Sequence, residues 1–130
     1  MFIDSVAWIA LKLRTDQWHK RAQELRSNIL EAPRLFITDF IMAETYNFLL
    51  RKASSDLAFE TLKMHLESEK ITRLYNNDFS ISGTKKILNR FSHLSLTDAN
   101  IVWHSSVLGE PRVMSFDNGF DSVPNIQRIG

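Results

Sequence analysis

Any fold that buries the apolar runs of this chain must also find room for four carboxylates. Asp4 follows Met1-Phe2-Ile3, Glu44 comes straight after Phe40-Ile41-Met42-Ala43, Asp98 sits within Leu94-Ser95-Leu96-Thr97-Asp98-Ala99, and Asp117 ends Val113-Met114-Ser115-Phe116. An ionised carboxylate is strongly unfavourable inside a protein unless it is paired, metal-bound or set at the rim of a cleft. The four acids therefore point to a shared cation, in a fold that gathers the ends of several apolar segments.

Those segments set the fold class. Met1-Phe2-Ile3, Leu35-Phe36-Ile37, Ile71-Thr72-Arg73-Leu74, Arg112-Val113-Met114-Ser115-Phe116 and Ile126-Gln127-Arg128-Ile129 have the length and content of short buried strands. Helical spacing recurs between them. Val6, Trp8, Ile9 and Leu13 share a face from Ser5 to Leu13, and Thr15-Asp16 offers a cap for one helix through Trp18, Ala22, Leu25 and Ile29, broken before Pro33. From Asp39, the residues Met42, Tyr46, Leu49, Leu50 and Ala53 form an amphipathic stripe, and Glu44 lies off it. A further helix follows Ser54-Ser55-Asp56 and ends near Glu67. Two more run from Asp78 to Arg90 and from Thr97 to Leu108, the last closed by Gly109. Strands alternating with helices predict an α/β fold with a mostly parallel sheet covered on both faces. With no repeat, linker or low-complexity tract in 130 residues, the expectation is one domain spanning 1–130.

Composition narrows the chemistry. The chain has no Cys, which excludes disulfides, a thiolate zinc site and a cysteine nucleophile, and agrees with a reducing compartment. The first residues carry no basic flank ahead of an apolar core, and no apolar run approaches ~18 residues, so a cytoplasmic protein without a membrane partner is expected. A net charge of +1 and a pI near 8.1 leave the binding partner open, because a domain-wide nucleic-acid footprint sits above about pI 9.

In an open α/β sheet the ligand crevice lies beyond the carboxyl ends of the strands. Asp4 and Asp117 fall at such ends, Glu44 on the first turns of the helix after the second strand, and Asp98 at the start of another helix. Carboxylates gathered there repel one another unless a divalent cation compensates them. Oxygen-only ligands favour Mg²⁺ or Mn²⁺ over Zn²⁺, and a metal-acidified water attacking a phosphodiester in line is the reaction such a set supports. Each acid also has a plainer reading. Asp4 can cap the following helix, Glu44 can be a solvated partner of Arg51, Asp98 can complete a Ser95-x-x-Asp98 capping box, and Asp117 can be a turn residue before Asn118-Gly119.

The other polar and aromatic residues are less specific. His19, His65, His93 and His104 lack zinc-like spacing and most are expected to be surface or half-buried residues with no ligand role, with His93 in a loop before Asp98 where it could touch a phosphate. Lys85-Lys86, Arg90, Arg51-Lys52 and the Lys12 to Arg26 group are solvated faces or a positive rim for RNA. Trp8, Trp18 and Trp103 are read as core or dimer-interface residues rather than base-stacking platforms.

Four stretches, Phe2-Ile3-Asp4-Ser5, Thr38-Asp39-Phe40-Ile41-Met42-Ala43-Glu44, Leu94-Ser95-Leu96-Thr97-Asp98-Ala99 and Met114-Ser115-Phe116-Asp117-Asn118-Gly119-Phe120, space the acids at intervals of 40, 54 and 19 residues. In that order the chain resembles the PIN-domain nucleases, and among them the VapC-like toxins of toxin–antitoxin pairs. The resemblance implies a three-layer α/β/α sandwich, metal-dependent endoribonuclease activity, a homodimer, and inhibition by a small antitoxin protein. It makes Asp4, Glu44, Asp98 and Asp117 the metal ligands and water-positioning groups, with Ser5 and Ser115 as candidate supports. Two positions depart from the family pattern. Val6 stands where a small polar residue is common, and Gly119 where many members have another acid, with Asp121 nearby but displaced. The competing expectation is a non-catalytic RNA- or protein-binding module of the same fold, in which the acids are structural.

Overall fold

The computed structural model describes residues 1–130. Five strands are present: β1 (Phe2–Ile3), β2 (Leu35–Thr38), β3 (Ile71–Leu74), β4 (Arg112–Met114) and β5 (Gln127–Ile129). All of them pair in parallel, in the order β3-β2-β1-β4-β5. Seven helices connect them: α1 (Ser5–Lys12), α2 (His19–Glu24), α3 (Arg26–Glu31), α4 (Asp39–Lys52), α5 (Ser55–Glu67), α6 (Asp78–Arg90) and α7 (Leu96–Leu108), with a 3₁₀ turn at Asn118–Ser122. Crossovers between parallel strands are right-handed, so the helices joining β1 to β3 cover one face of the sheet and α6–α7, joining β3 to β4, cover the other. The α/β sandwich expected from the sequence is the fold observed.

β1, β2 and β4 are short because each is an apolar run cut off by a polar residue at its carboxyl end. Phe2, Ile3, Ile37, Val113 and Met114 are fully buried, and each such side chain contributes about 1.5–3 kcal/mol. They belong to a core of 21 buried residues that also takes in Ala7, Ile41, Ala99, Ile101 and Phe120. Strand order reverses between β1 and β4, because the chain lays β2 and β3 on one side of β1 and β4 and β5 on the other. That reversal opens a crevice at the carboxyl edge of β1 and β4.

Helix starts follow the local chemistry. Thr38 Oγ1 accepts from the Ile41 amide, Ser54 Oγ from Leu57, and Asn77 and Ser80 form a reciprocal capping box. Gly109 ends α7 with φ +67°, a left-handed conformation in which glycine carries no steric penalty. Gly83 has a packing role. A Cβ there would stand 1.8 Å from Trp103 Nε1, so α6 and α7 approach too closely for any other residue.

Two expectations need correction. The single helix expected from Thr15 to Ile29 is two short helices broken at Leu25, whose backbone (φ −89°, ψ 4°) leaves the helical region. Asp16 does not cap it but accepts the Trp18 amide in a turn (2.8 Å), and the helix begins at His19. The histidines are also not all peripheral. His65 is 1% exposed and packs edge-on against Trp8 at 4.7 Å, and burial pushes its imidazole down to about 4.

Candidate active site

Asp4 is the first residue past β1, and its amide still donates to the Met114 carbonyl of β4 (3.1 Å). Its side chain is buried at 1% exposure. One oxygen caps α1 by accepting the Ala7 amide (2.7 Å), and the other accepts the hydroxyl proton of Ser115. Ser115 Oγ also accepts the Asp117 amide (3.0 Å), so one hydroxyl ties the ends of β1 and β4 and fixes two of the acids. Ser115 is thus the support the sequence suggested, whereas Ser5 is simply buried in the first turn of α1.

Asp117 stands exposed beyond β4, where its Oδ1 accepts the Gly119 amide (2.8 Å) and starts the 3₁₀ turn. Asp98 lies in the first turn of α7, with Ser95 Oγ accepting its amide at 3.0 Å. Glu44 is exposed on α4 and forms no ion pair with Arg51, since the ion pairs of the chain lie elsewhere. Asp121 is also accounted for: Arg128 grips it through two hydrogen bonds of 2.7 and 2.9 Å. The turn and capping roles read from the sequence for Asp4 and Asp117 are therefore real.

Electrostatics links the four acids although they come from four separate segments. Burial pushes the Asp4 carboxyl up to about 7, the Ser115 and Ala7 hydrogen bonds oppose this, and Asp98 and Asp117 add to it. Burial likewise raises Asp98 to about 6, with Ser95 opposing and both Asp117 and Glu44 adding to the rise. Each acid is thus within Coulombic reach of at least one other, and Asp98 is the member that senses Glu44. Like charges crowded at the end of a sheet are an unfavourable arrangement that a cation relieves.

The donors fit a hard divalent ion in kind, being carboxylate and hydroxyl oxygens with no imidazole or thiol among them. They do not form a closed cage. No three acidic, imidazole or thiol side chains are drawn tightly enough together to grip an ion. Asp4 is buried and Asp98 half-buried, while Asp117 and Glu44 are exposed at the edge of the group.

A PIN-domain family model matches residues 1–126. The chain belongs to the PIN-domain family. VapC20 of Mycobacterium tuberculosis, a toxin that cleaves the sarcin–ricin loop, is similar in structure with a TM-score of 0.85, at 20% identity over 95% of this chain and 94% of that one. A toxin–antitoxin complex from Klebsiella pneumoniae has a TM-score of 0.69 at 12% identity, covering 97% of this chain and 94% of that chain. VapBC2 of Rickettsia felis, bound to a DNA fragment of its promoter, has a TM-score of 0.63 at 13% identity, covering 98% and 96%. No curated protein matches the sequence. At these identities the solved structures share the PIN fold with this chain.

The sequence reading missed a second polar group at the same edge. Asn76, just past β3, donates its side-chain amide to Asp39 Oδ1 and to Asn100 Oδ1 (3.1 Å), and its backbone amide to Asp39 Oδ2 (3.1 Å). Asn100 Nδ2 donates in turn to Asn76 Oδ1 (2.7 Å) and Thr84 Oγ1 (2.8 Å), while His104 Nε2 lies 3.2 Å from Asn76 Oδ1. Burial holds the His104 imidazole below its ordinary value, so it serves as a neutral donor. Asn100 is two residues beyond Asp98, and this network sets α7 against the start of α4. The only advance signal was the Asn76-Asn77 pair after a strand, which also reads as a turn.

Proposed function

We propose that the chain is a metal-dependent endoribonuclease, acting as one PIN domain and as the toxin of a toxin–antitoxin pair. The observation that carries this reading is that Asp4 and Asp98, raised first by burial and further by neighbouring acids, feel the charges of Asp117 and Glu44 at the switch point of a PIN-family sheet. Asp4, Glu44, Asp98 and Asp117 would hold Mg²⁺ or Mn²⁺, which when bound would acidify a water and neutralise charge on the phosphodiester. The chain's own part is positional. Ser115 and the Ala7 amide hold Asp4 in one rotamer, the Gly119 amide aims Asp117, and the amide network behind Asn100 fixes the turn that carries Asp98. In hydrolysis the water oxygen bonds to phosphorus, the bond to the leaving ribose oxygen breaks, and that oxygen gains a proton.

A small antitoxin partner belongs to the same proposal, supported by the toxin–antitoxin complexes among the similar structures; the homodimer rests on the family resemblance alone. Cytoplasmic action is part of it too, supported by the lack of any helix long and apolar enough to cross a membrane. One observation favours a second reading, a non-catalytic binding module: the acids do not by themselves form a closed cage. The deciding experiment incubates purified protein with end-labelled structured RNAs, with Mg²⁺, with Mn²⁺ and with EDTA, alongside Asp98→Asn. We expect discrete products that need metal and fall at least ~100-fold in the variant, the scale of losing a group that acts in the transition state. Cleavage that persists in EDTA, or that is equal in the variant, refutes the nuclease assignment. No heat of Mg²⁺ binding in calorimetry of the wild type establishes the second reading.

A further inference from the structure

Asp117 lines more than the acid group. It also borders a cavity of about 750 Å³ walled by Val6, Trp18, Arg21, Phe116, Asn118 and Arg128. The cavity is an open groove, with room for a flat organic group to lie in it. Trp18 and Phe116 stack nearly parallel, with planes 7° apart and centroids at 5.3 Å, and the indole is 39% exposed. The Trp18 backbone is pinned by Asp16, so the indole is presented from a fixed point. This is an aromatic platform of offset-stacked rings, the geometry to which a further flat ring adds.

The two arginines are placed differently. Asp121 takes the Nε and Nη2 hydrogens of Arg128, and the Ser115 carbonyl takes one from Nη1 (3.2 Å), which orients the guanidinium and leaves two of its five N–H groups free. Arg21 is paired only with Glu24 at 3.2 Å, both half-exposed, a contact worth about 0–1 kcal/mol that a phosphate can displace. An acid group that must receive a phosphodiester needs such cations beside it to offset its own repulsion.

We propose that this cavity is the subsite for a nucleotide adjacent to the cleaved bond, its base stacked on Trp18–Phe116 and its phosphate met by Arg21 and Arg128. The inference deepens the nuclease reading and rests on it. It assigns the substrate class as RNA with an unpaired, splayed base, a loop or a single strand, because a base inside a duplex cannot reach the platform. A protein segment could also cover Trp18. RNA is favoured because two guanidinium groups line the same cavity as the aromatic pair, and Asp117, one of the four acids, forms part of its wall.

The test uses Asp98→Asn protein, which binds without cutting, and two probes, a single-stranded hexaribonucleotide and a blunt RNA duplex. Adding Trp18→Ala should weaken hexaribonucleotide binding about 5- to 150-fold, the equivalent of the ~1–3 kcal/mol that stacking one base is worth. Trp18→Phe should restore most of it, and duplex binding should change little. In the otherwise wild-type enzyme Trp18→Ala should raise KM more than it lowers kcat. Unchanged hexaribonucleotide affinity in a Trp18→Ala protein with a native melting profile overturns the proposal, as does a variant whose only defect is escape from antitoxin inhibition. The two readings fail separately. A wild type that cuts RNA regardless of Trp18 loses the subsite, whereas Trp18-dependent binding without metal-dependent cleavage loses the nuclease.

Discussion

Two polar groups sit a few residues apart at the carboxyl edge of the sheet, and they are built on opposite rules. Around Asn76 every polar atom finds a complement: Asp39 faces two N–H groups of Asn76, the two side-chain amides exchange hydrogen bonds, and Thr84 and His104 close the remainder. Around Asp98 acid faces acid, and the carboxyls of Asp4 and Asp98 are held above their ordinary range. A satisfied network holds the fold together. A group of like charges costs stability unless something outside the chain completes it, and that difference is what marks Asp98 and its neighbours, and not Asp39, as candidates for a functional site.

The largest effect is expected from breaking the satisfied group. Asn100 is wholly buried and supplies three of the network's hydrogen bonds. Asn100→Ala removes three buried hydrogen bonds, two with Asn76 and one with Thr84, whose hydroxyl keeps its bond to the Ser80 carbonyl, and should cost about 3 kcal/mol in urea unfolding, about 1 kcal/mol for each bond lost. A loss below about 1 kcal/mol means the network is decoration, and the contrast with the acid group disappears.

The same isosteric change should then act with opposite sign in the two places. Asp39→Asn puts an amide donor opposite the Asn76 backbone N–H and should destabilise by about 1–3 kcal/mol. Asp98→Asn removes a charge disfavoured first by burial and then by Asp117 and Glu44, and should stabilise the metal-free protein by about 1–3 kcal/mol at pH 8, while removing activity. The sign follows from proton binding. Because the folded carboxyls of Asp4 and Asp98 hold their protons up to about 7 and about 6, the folded state binds more protons than the unfolded chain from roughly pH 4 upwards. Stability in EDTA should therefore fall as pH rises through 4 to 7 and then level off in this respect. His65 works the other way in part of that range, since its folded imidazole is lowered to about 4, so the comparison is wild type against Asp98→Asn and not the raw profile. Added Mg²⁺ should remove most of the difference at pH 8. Identical EDTA curves for the two proteins would show that the Asp98 charge is not disfavoured by its burial and its acidic neighbours.

How much of this could be read from the chain depends on range. β1, β2 and β4 were legible because an apolar run that ends in a polar residue is a local signal, and the acids stood out as candidates because each sits where a carboxylate is out of place. The capping of α7 by Ser95 and its closure by Gly109 are likewise written within a few residues. The break at Leu25 was not, because neither Gly nor Pro marks it and it is set by how α2 docks, with His19 Nδ1 2.7 Å from the Ala10 carbonyl and Gln23 donating to Leu11. The Asn76–Asn100 exchange was hidden for a related reason: two amides 24 residues apart carry no periodicity. Trp18 was assigned to a core or interface because indoles are usually buried, and only the stacked Phe116, 98 residues further on, reveals what its exposed ring rests against.

The smallest expected change tests the edge of the acid group. Glu44 is exposed and is tied to the others only through its effect on Asp98. Glu44→Gln should move unfolding by less than about 0.5 kcal/mol, as for an ordinary surface substitution. If Glu44 nevertheless belongs with Asp98, the same change should weaken Mg²⁺ binding by about tenfold, the effect of losing one carboxylate worth roughly 1.4 kcal/mol to the ion. Calorimetry of Mg²⁺ binding separates the cases, since Arg51 makes no ion pair with Glu44 that the substitution could disturb. An unchanged Mg²⁺ affinity would shrink the functional group to Asp4, Asp98 and Asp117, and would return Glu44 to the solvated face of α4.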